Sequence, residues 1–116
     1  MIGTSEIAEI FSVYRKHGWT LRRVLLTDGS RAAVRSEQKD LFGEILVENS
    51  SLDAAWFSRE SSVEVDAWEL RRLGGTPFAL IRSIPKSASQ GEASQILHEC
   101  EIQMSDYATH APRDLD

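Results

Sequence analysis

The stretch from Leu52 to Ile84 constrains the fold of this chain most strongly. It contains two of the three tryptophans, Trp56 and Trp68, and the Gly74-Gly75 pair, which is typical of a tight turn. The residues on both sides of that turn alternate in the way that the two strands of a hairpin do. We therefore predict a three-stranded antiparallel meander over 52–84, and we interpret the rest of the chain as its cover.

The pattern of apolar residues also predicts the register of the second hairpin. A two-residue loop would pair Glu69 with Leu80, whereas a three-residue loop over 74–76 pairs Leu70 with Leu80. A one-residue slip turns every side chain to the other face of a sheet. Only the three-residue loop puts four apolar residues on one face, namely Trp68, Leu70, Phe78 and Leu80. We predict this loop, with Gly75 at positive φ.

Helical spacing of apolar residues predicts one helix near each end of the chain. The N-terminal helix ends before Gly18, and its apolar stripe comprises Ile7, Ile10, Phe11 and Tyr14. The C-terminal helix begins with a capping box of Ser89 and Glu92 and runs from about Gln90 to Asp106. Its apolar stripe comprises Ala93, Ile96, Leu97, Cys100, Met104 and Tyr107.

The segment between the N-terminal helix and the meander allows two interpretations. Leu21 to Thr27 is rich in Val and Leu and is predicted to be a strand. The following Asp28-Gly29 pair could turn the chain into a second strand of a hairpin. Residues 30–42, however, are mostly strong helix formers, and we favour a helix there. Residues 44–48 then form a short strand or a link into the meander.

Together these elements predict an α+β fold. We expect a two-layer sandwich in which an antiparallel sheet, built on the meander, carries the N-terminal and C-terminal helices on one face. With 116 residues the chain is long enough to bury a sizeable core. We predict a single domain over 1–108, followed by a flexible polar tail over 109–116.

Composition argues against several classes of function. The net charge of −5 makes nucleic acid an improbable partner, because phosphates attract a basic surface. No apolar run is long enough to span a membrane, and the first residues do not read as a signal peptide, so we expect a cytoplasmic location. The one cysteine, Cys100, can form no internal disulfide. Since it lies on the apolar stripe of a helix, we interpret it as a small core residue.

No motif predicts catalysis, a metal site or a cofactor. His98 and Glu101 have a spacing found in carboxylate metal sites, but no second helix supplies further ligands. Four acidic residues surround the meander, which contains no lysine to complete a nuclease-type site: Asp53, Glu64, Asp66 and Glu69. The Asp28-Gly29-Ser30-Arg31 segment is a weak anion site that a plain N-cap explains equally well. The sequence therefore leaves open whether the protein is an enzyme.

The main functional hypothesis concerns the face of the sheet turned away from the helices. On the predicted register that face carries Phe57 and Ile81 as an apolar centre, rimmed by Arg59, Glu69 and Arg71. Such a composition is typical of a protein interface. We therefore predict a non-enzymatic interaction module, whose partner is a second copy or another protein. Alternatively, the segment 30–42 or the link 49–51 covers this face within the monomer.

Two other functions are compatible with the sequence. One is a small-ligand-binding or hydrolytic enzyme with its pocket between the sheet and the helices. The other is a weak RNA binder that uses the arginines. A deep pocket lined by converging polar groups would favour the enzyme, and a continuous stripe of arginines would favour the RNA binder.

Overall fold

The computed structural model describes residues 3–110. It has five strands: β1 (Thr20–Leu26), β2 (Leu46–Asn49), β3 (Ala54–Glu60), β4 (Val65–Arg72) and β5 (Ala79–Pro85). It has four α-helices: α1 (Thr4–Lys16), α2 (Asp28–Ala33), α3 (Gln38–Phe42) and α4 (Gln90–His110). A short 3₁₀ turn, Arg35–Glu37, joins α2 to α3. All five strands belong to one sheet, in the order β2-β1-β3-β4-β5. The predicted α+β class is confirmed.

The three-stranded antiparallel meander is confirmed as β3, β4 and β5. In the second hairpin Leu70 pairs with Leu80, as the three-residue loop requires, and the Arg72 N–H donates to the Phe78 carbonyl over 2.8 Å. Gly75 in that loop has a φ of +69°. This backbone angle favours glycine, whereas a Cβ atom there would have to displace only the flexible Arg72 guanidinium, 3.0 Å away.

The segment before the meander places two more strands beside β3. β1 runs antiparallel to β3, and β2 runs parallel to β1 at the edge of the sheet. A parallel pair needs a crossover connection, which α2, the 3₁₀ turn and α3 supply. The segment 30–42 is therefore helical as predicted, although it forms two short helices and a 3₁₀ turn instead of one helix, and the hairpin alternative is wrong. The helix begins earlier than predicted, at Asp28, because the side chain of Thr27 caps it.

Helices pack on both faces of the sheet, so the expected two-layer arrangement with both terminal helices on one face is wrong. Residues of β3 alternate between two cores: Ala55 and Phe57 lie under α1, whereas Ala54 and Trp56 lie under α4. We call these the α1 face and the α4 face. The helices α2 and α3 add Val34 and Phe42 to the α1 face. A strand buried on both faces reads as a continuous apolar run, and the run over 54–57 has this property.

The C-terminal helix is held at its start and along its length. The Ser89 N–H donates to the Glu92 carboxylate over 2.8 Å and the Glu92 N–H to Ser89 Oγ over 3.1 Å, which confirms the capping box. The hydrogen bond from the Ser89 backbone, followed by one from the Ser89 side chain, holds the pKa of the Glu92 carboxyl below its ordinary value. The helix continues to His110, into the predicted tail 109–116, of which 111–116 lies outside the described residues. Within the part described, no helix combines the length and the apolar character needed to cross a membrane.

Candidate functional site

The predicted interaction surface is only partly exposed, because α1 covers one half of it. Phe57 is 1% exposed and therefore cannot be a contact residue for a partner. Its ring stacks on Tyr14 with 4.0 Å between centroids and meets the edge of Phe11 at 5.7 Å. The expected exposure of Phe57 is wrong because the N-terminal helix packs on this face. Of the two segments considered as its cover, 30–42 also packs on this face through Val34 and Phe42, whereas no residue of 49–51 belongs to this core.

The other half of the α1 face, over β4 and β5, extends beyond α1. In β5 the residues on this face that precede Pro85 are all exposed: Ala79, Ile81 and Ser83. Ile81 is the largest of them, and 56% of its surface is exposed. The neighbouring residues of β4 on this face are Ala67, Glu69 and Arg71, all half-buried. We call these six residues the open strip. It contains three of the five predicted surface residues: Glu69, Arg71 and Ile81.

Polar groups on the inner side of the open strip are bound to one another. The Tyr14 hydroxyl donates to the Glu69 carboxylate, and the Arg71 guanidinium donates to the carbonyl of Arg72. Burial, followed by the hydrogen bond to Glu69, raises the pKa of Tyr14 well above its ordinary value. The hydroxyl thus stays protonated at neutral pH and cannot serve as a general base. The hydrogen bond between Tyr14 and Glu69 joins α1 to the sheet.

Arg59, the remaining predicted surface residue, is exposed and contacts the residues that follow the C-terminal end of α1. Its guanidinium carbon lies 4.5 Å from the centroid of the Trp19 ring, and Nη1 donates to the His17 carbonyl over 2.8 Å. An open cleft of about 570 Å³ lies beside it and includes Ser61 and Glu60 in its lining. The ring of His17 bonds to the Val13 carbonyl and Glu60 pairs with Lys86, so neither activates the serine hydroxyl.

The outer side of the open strip is the edge of the sheet. Residues 78 and 86 form their backbone hydrogen bonds with β4, namely Arg72 N–H to Phe78 O and Lys86 N–H to Glu64 O, each 2.8 Å long. Since the bonding direction alternates along a strand, the N–H and C=O groups of Ala79, Ile81 and Ser83 point away from the sheet. We call this row of backbone groups the β5 edge. Pro85 lies at the next outward position and has no N–H to offer.

The possible anion site at 28–31 is occupied by a carboxylate of the chain itself. Asp53, just before β3, accepts the Thr27 N–H over 2.8 Å and the hydroxyl of the buried Ser30 over 2.7 Å. Both oxygens of Asp53 are thus used at the start of α2, where a negative charge is favourable. The capping interpretation explains this segment, and Asp53 also joins α2 to the meander.

One acidic pair does meet a lysine, but on an exposed part of the surface. Lys86, just after β5, donates to the Glu60 carboxylate and lies 4.0 Å from that of Asp66. The sequence missed this cluster because Lys86 follows the meander. Its side chains are all well exposed, so an ordinary surface ion-pair network explains it. Among the described residues, no group of three or more His, Cys, Asp or Glu could hold a metal ion.

The arginines divide between the two faces of the sheet. Arg22 lies over the Trp68 ring at 5.6 Å, and Arg82 bonds to Gln103 of α4, so both belong to the α4 face. Arg59 and Arg71 belong to the α1 face. These four arginines therefore do not form the continuous stripe that an RNA-binding surface would need.

No protein-family model, curated protein or solved structure matches the chain. The surface of the molecule therefore has to indicate its function. Its two distinctive parts are the open strip, with Ile81 at its centre, and the β5 edge beside it.

Proposed function

We propose that the protein is a non-enzymatic interaction module that binds a second copy of itself through the β5 edge. One observation carries the proposal: the last strand of the sheet offers outward backbone donors and acceptors around an exposed Ile81. Exposed strand edges are templates for pairing with another chain, and proteins usually shield them. A second copy is the simplest occupant, because an antiparallel pair of identical strands forms a closed two-fold contact.

The positions of the prolines support a pairing centred on Ile81. Pro77 and Pro85 lie at equal distances along the chain on either side of it. With Ile81 on the two-fold axis, Ala79 of each copy pairs with Ser83 of the other. Each of the three resulting pairs exchanges two hydrogen bonds, about six in all. The next pair would bring Pro77 opposite Pro85, where no N–H is available, so the ladder ends there.

The same pairing also covers the exposed side chain. The Ile81 residues of the two copies would lie directly opposite each other on the α1 face, where cross-strand side chains touch. Their neighbours along the strand, Ala79 and Ser83, are small enough to leave room for this contact. Glu69 and Arg71 would form the polar rim of the joined strips, with Arg59 farther along the same face. The contact is small, so we expect weak association.

The proposal includes a cytoplasmic location. Its support is the state of Cys100, which is free, buried and packed between α4 and the sheet. Burial raises the pKa of this thiol and makes it a poor nucleophile. A fold with such a cysteine needs no oxidising compartment.

The test is sedimentation of the wild type and three variants over a concentration range of about 5 to 500 μM. Ser83→Pro removes an outward N–H without disturbing a bond to β4, and Ile81→Asp places two charges at the axis. Both should be monomeric where the wild type is dimeric. Ile102→Asp is the matched control, because Ile102 is 50% exposed on α4, and it should pair like the wild type.

Two results would contradict the proposed function. The first is a wild type that stays monomeric over the whole range. The second is a dimer whose dissociation constant is unchanged by Ser83→Pro. Circular dichroism of each variant checks that the fold is intact, which we expect because Ile81 and Ser83 are both exposed.

A further inference from the structure

One side chain connects the β5 edge to the C-terminal helix. Arg82 points to the α4 face, and its Nη2 donates to the side-chain carbonyl of Gln103 on α4. Its Nη1 reaches the edge and donates to the carbonyl of Ile81 over 2.9 Å. That carbonyl is one of the outward acceptors of the β5 edge. The guanidinium therefore occupies the central acceptor of the proposed pairing.

We propose that Arg82, held by Gln103, is a latch that limits self-association at the β5 edge. This inference rests on the proposed function and concerns the regulation of the same site. The latch is closed when the guanidinium is bound to the Ile81 carbonyl, and it is open when that bond is broken. In the closed state an incoming N–H must share the carbonyl with the guanidinium. The long arginine side chain also crosses the line along which the second strand would approach. Charged side chains placed in this way are a known means of blunting edge strands.

The two contacts of Arg82 determine whether a substitution strengthens or weakens the dimer. Pairing requires Arg82 to release the Ile81 carbonyl in both copies, so the apparent dissociation constant is the intrinsic constant divided by the square of the open fraction. The bond to Gln103 favours the closed position because it holds the guanidinium beside the edge. Losing one exposed hydrogen bond of this kind should raise the open fraction roughly 2- to 10-fold. The dissociation constant of the dimer should fall by the square of that factor, roughly 4- to 100-fold.

Substitutions at Gln103 can weaken or strengthen the hold on Arg82 without altering any residue of the β5 edge. Gln103→Ala removes the partner of Arg82 in both copies and should lower the dissociation constant of the dimer roughly 4- to 100-fold. Gln103→Glu gives the guanidinium a carboxylate partner, holds the latch closed and should weaken dimerisation by a similar factor. Arg82→Ala removes the latch itself and should give the tightest dimer of the series.

The experiment is sedimentation equilibrium of the full chain and these variants, with Gln95→Ala as the control. Gln95 also lies exposed on α4 and bonds to Glu99 rather than to β5, so its loss should leave the dissociation constant unchanged. The Gln103 variants keep the experiment interpretable if Arg82→Ala disturbs the packing of α4. Equal dissociation constants for wild type, Gln103→Ala and Gln103→Glu would overturn the latch.

The two proposals fail in different ways. If the wild type is dimeric and both Gln103 variants have the same dissociation constant as the wild type, the latch is refuted and the proposed function stands. A monomeric wild type with monomeric Gln103→Ala and Arg82→Ala removes both proposals. A monomeric wild type that dimerises when Gln103 is truncated contradicts self-association as the wild-type function and supports the latch.

Discussion

Replacing Phe57 with alanine tests the position of α1 most directly. The ring is 1% exposed and touches the rings of Phe11 and Tyr14. Burying a side chain of this size stabilises a fold by about 1.5–3 kcal/mol, and each ring pair adds about 0.5–1.5 kcal/mol. With the cavity left behind, Phe57→Ala should lower the free energy of unfolding by about 3–5 kcal/mol. On an uncovered face the loss would be within about 0.5 kcal/mol.

The measurement is urea denaturation, with Ile81→Ala as the control. Phe57, Glu69 and Ile81 lie in one row across three strands, so the two substitutions differ mainly in whether α1 covers them. Ile81→Ala should change the free energy of unfolding by less than about 1 kcal/mol in a dilute, monomeric sample. If Phe57→Ala proves too unstable to measure, Phe57→Leu should lower the free energy of unfolding by about 1 kcal/mol. Equal small losses at both positions would refute the placement of α1.

Three further outcomes are expected. Because the pKa of Tyr14 is raised in the fold, its stabilising effect is complete below its unfolded pKa of about 10 and declines as the pH rises further. Wild-type stability should therefore fall more between about pH 9 and pH 11 than that of Tyr14→Phe, and parallel curves would contradict this. Asp53→Ala should cost about 2–4 kcal/mol in urea, since it leaves the Thr27 N–H and the buried Ser30 hydroxyl unpaired; a loss below about 1 kcal/mol would count against it. Leu70→Ala, at a fully buried position on the α4 face, should cost about 2–5 kcal/mol by the same assay, and a negligible loss would mean the wrong face was assigned.

The sequence predicted the parts of the fold that local patterns determine. The register of β4 with β5 follows from the alternation of apolar residues and from the glycines of one short loop. The capping box at Ser89 follows from two residues that are three apart. The helical spacing also identified buried positions in both terminal helices, for instance Phe11 and Leu97. In each case the residues that decide the structure are neighbours in the chain.

The placement of the helices could not be predicted in the same way. A helical stripe shows which side of a helix is apolar, but it does not show which face of a sheet that side will meet. The apolar run over 54–57 was the available signal, since a strand with one solvated face would alternate. Without that inference Phe57 was expected to be exposed. The exposed position of Ile81, by contrast, followed from the hairpin register, and its role in binding stays a prediction.

Local sequence patterns also could not predict that β5 lies at the edge of the sheet. β1 could have paired with either outer strand of the meander, and the choice of β3 leaves β5 as the last strand. That choice depends on long-range packing of β1 under α1. The contact of Arg82 with Gln103 likewise depends on the packing of α4 against the sheet.

The two ends of the sheet are unlike, and this difference bears on polymerisation. In the part of the chain that the structure describes, the sheet ends on the seven-residue β5 at one side and on the four-residue β2 at the other. Copies that add edge to edge in one direction can grow into fibres, whereas a two-fold contact uses the same edge of both copies. A pair joined at β5 would present only the short β2 edges to solution. Short edges are poor templates, so assembly would stop at two copies.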